Sequence, residues 1–133
     1  MRDTRPHRYR RLQRQDLTFE RDVARALDGL PEWVQQRLEN VAVIVDDEPS
    51  SQQLAETGLQ PGEILYGLYE GVPLGLEAGP FPLPARIVLF RRHLVQDFRR
   101  GAALRREIRR TIIHEVGHHF GLSEADIERL GYE

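Results

Sequence analysis

Ala102-Ala103-Leu104-Arg105-Arg106-Glu107-Ile108-Arg109-Arg110-Thr111-Ile112-Ile113-His114-Glu115-Val116-Gly117-His118-His119-Phe120-Gly121 is the longest stretch of this chain with a single period. Leu104, Ile108, Ile112, Val116 and Phe120 recur every four residues and drift slowly around a helix axis, so they form one apolar stripe that faces a core. At about 100° per residue, His114 and His118 lie roughly opposite that stripe, with Glu115 beside them. Gly121 then ends the helix, because glycine accepts the left-handed conformation that reverses the chain.

Two imidazoles one helical turn apart, with a carboxylate between them in sequence, are what a zinc ion and its water need. The nitrogens ligate at about 2.0–2.1 Å, and the carboxylate takes a proton from water whose pKa the metal lowers toward roughly 7. Glu115 is thus the expected general base, later passing its proton to a leaving amine. Once Gly121 has turned the chain, Glu124 can return to the metal as third ligand. Asp126 is the reserve for that place, although Ser123 and Asp126 also have the spacing of a capping box for a final short helix, and water remains a further possibility. The alternative for the pair of histidines is a solvated helix face.

Upstream, Phe19, Val23, Ala24, Ala26, Leu27 and Leu30 give a helical face from Leu17 to Leu30. Gly29 and Pro31 end it, and Pro31 opens a short helix with Trp33, Val34 and Leu38. Val41-Ala42-Val43-Ile44-Val45 reads as a buried strand running into the acidic Asp46-Asp47-Glu48. Ser50 with Gln53 caps a short helix through Glu56. Ile64 to Tyr69 reads as a second strand and Arg86 to Phe90 as a third. The glycine- and proline-rich residues 71–85 between them form a long loop. A helical turn over Leu94 to Phe98 precedes the long helix. This order favours an α+β fold with a layer of few strands over a doubly wound sheet.

The chain has 133 residues, enough for one core. Arginine supplies all 19 basic residues against 21 acids, a balance that argues against a chain devoted to nucleic acid. The absence of cysteine removes disulfides, thiolate metal sites and a cysteine nucleophile. No apolar run reaches the roughly 18 residues of a membrane span, and the basic start leads into no signal-peptide segment, so a soluble cytoplasmic protein is expected. Residues 1–14 hold six arginines and one acid. Residues 1–16 are therefore read as a basic, disordered leader, and residues 17–133 as one domain.

The string His114-Glu115-x-x-His118-x-x-Gly121-x-x-Glu124 resembles the elongated zinc signature of zincin metallopeptidases. The wider chain resembles a small bacterial family of minimal zincin-like metallopeptidases over most of residues 17–132. The shared features include the Val41–Glu48 strand with its acidic end, Gly67-Leu68-Tyr69-Glu70-Gly71-Val72-Pro73-Leu74, the Ile87–Phe90 strand and the signature helix. That resemblance implies zinc on His114 and His118, Glu115 as general base, and a peptide or protein as substrate. It also implies a minimal zincin-like fold, a small mixed sheet packed on the long active-site helix. The chain differs from larger metzincins in glutamate at 124, where they use histidine or aspartate, in having no methionine beyond Met1, and in the nine residues that follow Glu124 in place of a second subdomain.

An extended substrate would add its backbone to an edge strand, for which Arg86–Phe90 is the first choice. Thr111 and Glu107, one and two turns before His114, are candidates for orienting a ligand's second nitrogen, with a solvated surface position as the favoured alternative. His119 reads as packed, and His93 and His7 as solvent-facing. Tyr132 lies where some zincins keep an oxyanion donor, a minor expectation. The arginine pairs are solvated faces or, beside a cleft, a rim favouring acidic substrates. Two other classes fit the histidine pair: a zinc endoribonuclease, disfavoured by Glu115, and a non-catalytic zinc-stabilised interaction module. Zinc is favoured over non-haem iron(II) by the spacing, and the oligomeric state is not readable.

Overall fold

The computed structural model describes residues 5–60, 62–71 and 85–130, with side chains from residue 17 onward. The fold is α+β, in the order α1 (Arg5–Asp28), α2 (Glu32–Arg37), β1 (Val41–Asp46), α3 (Ser51–Thr57), β2 (Gly67–Glu70), β3 (Ala85–Phe90), α4 (Arg91–Asp97), α5 (Ala102–His119) and α6 (Glu124–Arg129). The helix α1 starts at Arg5, ahead of the Leu17 at which its apolar period begins, so the division of the chain at residue 16 rests on composition alone. The expected loop lies almost wholly, and Tyr132 entirely, outside the described residues. Among those residues no helix is long and apolar enough to cross a membrane.

The helix α5 is central because its stripe is apolar at each fourth residue. Leu104, Ile108, Ile112 and Val116 are wholly buried, and meet Phe19, Val23 and Ala26 of α1, Leu30 just beyond it, and Ile87 and Leu89 of β3 in one cluster. Each such side chain contributes about 1.5–3 kcal/mol by leaving water. Phe120 departs from the stripe: it is 45% exposed, and the Arg37 guanidinium lies 4.7 Å above its ring. The helix has already ended there, so the fourfold period no longer dictates direction.

Among the described residues the sheet has three strands, in the order β1-β3-β2. β3 runs parallel to β1 and antiparallel to β2, and Ile87 to Phe90 are all fully buried, as expected of a strand covered on both faces. Two expectations are corrected here. Arg86–Phe90 is the middle strand and offers no edge to a substrate, because both its sides are already paired. Val41–Val45 is an edge strand, partly exposed along most of its length, since its continuous β-branched run packs against the core on one face only.

Local signals held at the helix ends. Ser50 accepts from the Gln53 N–H at 3.0 Å while the Gln53 side chain accepts from the Ser50 N–H at 2.9 Å, and Gly58 closes α3 with φ of 72°. Pro31 is the N-cap of α2 rather than its first helical residue. The acidic end of β1 clasps the start of α4: both Nε and Nη2 of Arg91 donate to Asp47 Oδ1, at 2.9 and 2.7 Å, and Arg92 pairs with Glu48 at 2.8 Å.

Candidate metal centre

Gly121 ends α5 with φ of 86°. The Leu122 N–H donates to the Gly117 carbonyl at 2.7 Å and the Gly121 N–H to the His118 carbonyl at 3.1 Å, the paired bonds of a Schellman turn. The turn folds α6 back along α5, where Ile127 is fully buried. Gly117 permits the approach, because a Cβ there would stand 2.9 Å from Ile127 Cδ1. Ser123 and Asp126 cap α6 reciprocally, at 2.9 and 3.1 Å. Asp126 also pairs with Arg129. Its carboxylate is held below the usual range by its hydrogen bonds to Ser123. Asp126 is thus spent on the cap, and Glu124 is the acid that turns toward α5.

There Glu124 meets both histidines of the signature. His114 Nε2 lies 3.0 Å from Glu124 Oε2, and His118 Nε2 lies 2.9 Å from Glu124 Oε1. His114 Nδ1 stands 2.8 Å from the Arg110 carbonyl. A carbonyl oxygen can only accept, so Nδ1 carries the hydrogen and the neutral ring presents a lone pair at Nε2. A lone pair facing a carboxylate oxygen at 3.0 Å is repulsive unless a cation stands between them, either a proton on the ring or a metal ion.

Ligand atoms about 2.0–2.1 Å from one tetrahedral zinc are roughly 3.3 Å apart, slightly wider than these contacts. As the side chains stand, no group of three or more His, Cys, Asp or Glu among the described residues forms a ready metal cage. The donor set fits zinc in kind, and admitting it requires the carboxylate to withdraw by a few tenths of an ångström. Glu124 is 64% exposed at its side chain and has room to do so.

Glu115 is held from the other side. Its Oε1 accepts the Tyr69 N–H at 2.8 Å. The Phe90 N–H donates to the Tyr66 carbonyl, so alternation along the antiparallel pair leaves the backbone groups of Gly67 and Tyr69 facing away from β3. The side chain of Glu115 therefore reaches the outer edge of β2. Gly67 brings that edge close, since a Cβ there would stand 2.6 Å from Thr111 Cγ2. Burial pushes the Glu115 carboxyl above its usual range, opposed by the Tyr69 hydrogen bond and by the two histidines.

The centre opens into a cleft of about 360 Å³ lined by Leu65, Tyr66, Gly67, Glu107, Arg110, Thr111, His114, Glu115 and Glu124. Thr111 turns its methyl toward Gly67, and Glu107 lies further along the cleft. His119 stacks on Tyr69 with ring centroids 3.8 Å apart. His93, expected in solvent, is half-buried with Nδ1 3.0 Å from the Leu65 carbonyl, because α4 packs beside the approach to β2. Of the arginine pairs only Arg110 lines the cleft, while Arg105 turns to Asp22 of α1 at 3.3 Å. The Tyr69 N–H and the close approaches at Gly67 and Gly117 escaped the sequence reading. A glycine inside a strand or a helix is the signal for such contacts, but it names no partner.

A family model described as zincin-like metallopeptidase matches residues 38–132 of the chain. Among solved structures, a conserved hypothetical protein from T. thermophilus aligns with 23% identity and a TM-score of 0.48, over 88% of this chain and 96% of that one. No curated protein matches the chain.

Proposed function

The chain belongs to the zincin-like metallopeptidase family, and from that premise we propose that it is a zinc-dependent peptidase with His114, His118 and Glu124 as ligands and Glu115 as general base. The observation that carries this reading is the meeting of both Nε2 atoms with one carboxylate, beside a second carboxylate anchored on the strand edge. When bound, zinc would supply Lewis acidity to a water and to a substrate carbonyl.

The remaining steps belong to the chain. The Arg110 carbonyl fixes the His114 tautomer, so that Nε2 faces the centre. Glu115 takes a proton from the attacking water and delivers it to the departing amine. Its raised pKa suits the first half of that task, because a carboxyl that holds a proton more tightly is easier to load, and the Tyr69 N–H fixes its position. The backbone of Gly67 and the Tyr69 carbonyl face the same way as that N–H, which makes β2 the edge for an extended peptide, in place of Arg86–Phe90. Three carboxylates and one arginine among the lining residues weigh against a phosphodiester substrate and hence against the ribonuclease alternative.

The test is metal content by mass spectrometry on untagged protein, with hydrolysis of a peptide library in parallel. Near one zinc per chain is expected in wild type and in Glu115→Gln, with loss in His118→Ala and weakening in Glu124→Ala. Hydrolysis is expected from wild type alone. A wild type that stays metal-free under zinc titration overturns the reading.

A further inference from the structure

The cleft continues past the metal centre along α5 to Glu107, whose carboxylate the proposed hydrolysis does not use. Glu107 lies seven residues before His114, about 10.5 Å along the helix. Its side chain is only 14% exposed, and the Arg110 guanidinium with which it pairs stands off at 3.7 Å on a side chain 52% exposed. That separation is beyond hydrogen-bond reach, so the carboxylate has given up most of its water for a loose pair. The opposite wall of the same end carries Tyr66, whose hydroxyl donates to Asp97 Oδ2 at 2.5 Å.

Around Tyr66 the local field is negative, while at Glu107 burial raises the carboxyl and Arg110 and His114 oppose that rise. The Tyr66 phenol is pushed up to about 12, first by burial, then by its bond to Asp97 and by the charges of Asp97 and Glu107. The basic residues that the sequence places nearby are engaged elsewhere or stay at the rim. Arg92 pairs with Glu48, and Arg105 with Asp22, each away from the cleft. Glu115 and Glu124 belong to the metal centre, which leaves Glu107 as the anion of the cleft with neither a ligand role nor a proton-transfer role.

We infer that Glu107 anchors a cationic group of the bound peptide at the Tyr66 end of the cleft, displacing Arg110 toward solvent. This rests on the peptidase reading for the nature of the ligand. The cation has two sources, a lysine or arginine side chain or the peptide's own N-terminal ammonium. Reach favours the side chain: one residue step of about 3.3–3.6 Å plus a four-carbon stem covers most of the distance from the scissile bond to Glu107. The arginine-rich surface suggested acidic substrates, but the charge that faces the cleft is of the opposite sign.

The experiment measures binding separately from cleavage. Fluorescein-labelled peptides differing at one position, lysine, norleucine or glutamate, each with a free or an acetylated N-terminus, are titrated into Glu115→Gln, with and without one equivalent of zinc. The lysine peptide is expected to bind about tenfold or more tightly than the norleucine peptide, with the preference abolished by adding Glu107→Gln and reversed by adding Glu107→Arg. A lysine preference that survives acetylation assigns the anchored cation to the side chain, and a Glu107-dependent loss of affinity on acetylation that is shared by all three peptides assigns it to the N-terminus. Equal binding of lysine and norleucine peptides that acetylation leaves unchanged, tighter binding of the glutamate peptide, or a preference that persists without Glu107 overturns the inference.

Cleavage by wild type is read alongside. Hydrolysis without a basic preference leaves the peptidase reading standing and removes this one. A Glu107-dependent preference with no hydrolysis does the reverse. If no peptide binds at all, both fall.

Discussion

The two edges of the sheet are built by different means. At the β1 edge the chain is fastened through side chains: Asp47 and Glu48 hold Arg91 and Arg92 at the start of α4. Ser50 and Gln53 tie off α3 beyond them. At the β2 edge side-chain bonds to Glu70 from Arg86 and Gln53 are joined by a missing side chain, since Gly67 lets the strand close on Thr111, and on the same helix Gly117 lets Ile127 of α6 close on α5. Missing Cβ atoms bring backbone groups and short carboxylate arms within reach of each other. The Tyr69 N–H reaches Glu115 and the Glu124 carboxylate reaches both histidines only because their elements lie this close. The first edge supports the fold, and the second also composes a site.

The comparison breaks most directly if metal affinity does not depend on the β2 side. His118→Ala is expected to weaken zinc binding by more than about a hundredfold, because even the partners of metal ligands are worth roughly 10–100-fold and this is a ligand. Equilibrium dialysis with a zinc-sensitive dye reads it, and an unchanged affinity would dissolve the distinction between the edges.

Next in size are paired substitutions that strain each edge. Gly67→Ala places a Cβ against the Thr111 methyl and should cost about 1–3 kcal/mol in urea denaturation, with recovery when Thr111→Ser removes that methyl. Asp47→Ala takes a charged hydrogen-bond partner from the largely buried Arg91 and should cost about the same. The two must then differ in function. Gly67→Ala shifts the strand that holds Glu115 and lowers any hydrolysis before it lowers zinc content, whereas Asp47→Ala leaves both unchanged in the folded protein.

These contrasts also explain what was legible beforehand. The α5 stripe as far as Val116, the capping boxes at Ser50 and Ser123 and the glycine stop at Gly121 are local rules written within a few residues, and each took the expected form. Strand order is not local. Val41–Val45 and Arg86–Phe90 have the same apolar, β-branched character, and nothing within either segment says which lies in the middle. The histidine pair could be read because one helix carries both members. The Tyr69 N–H could not, since a backbone group has no signature, and Glu107 could be placed near the face of His114 but its surroundings could not, because they depend on what packs opposite it.

A smaller effect distinguishes the edges by pH. Burial raises the Glu115 carboxyl above 4.5, so its contribution to stability is fully present below that value and fades as the pH rises through its folded pKa. Glutamine does not ionise and loses nothing over the same interval. The melting temperature of metal-free Glu115→Gln should therefore gain on wild type between about pH 4 and about pH 7. Zinc favours the ionised form and should narrow that gap. A gap that stays constant with pH would mean that Glu115 is better solvated than its place between α5 and β2 implies.

The smallest effects give the cleanest contrast, because α3 and α6 carry the same cap. In each a serine hydroxyl accepts the N–H three residues on, and that residue's side chain reaches back to the serine N–H. Ser50→Ala and Ser123→Ala should each cost about 1 kcal/mol, by loss of a bond of one type at one kind of position. Their consequences for zinc should differ. Glu124 is the first residue of α6, so fraying that turn loosens the carboxylate between His114 and His118, while α3 contributes no residue to the cleft. Matched losses in thermal stability with weaker zinc binding in Ser123→Ala alone are the expected pair of results. Equal zinc affinities would show that Glu124 reaches the histidines without needing α6 to be ordered, and the role of Gly117 would then reduce to packing.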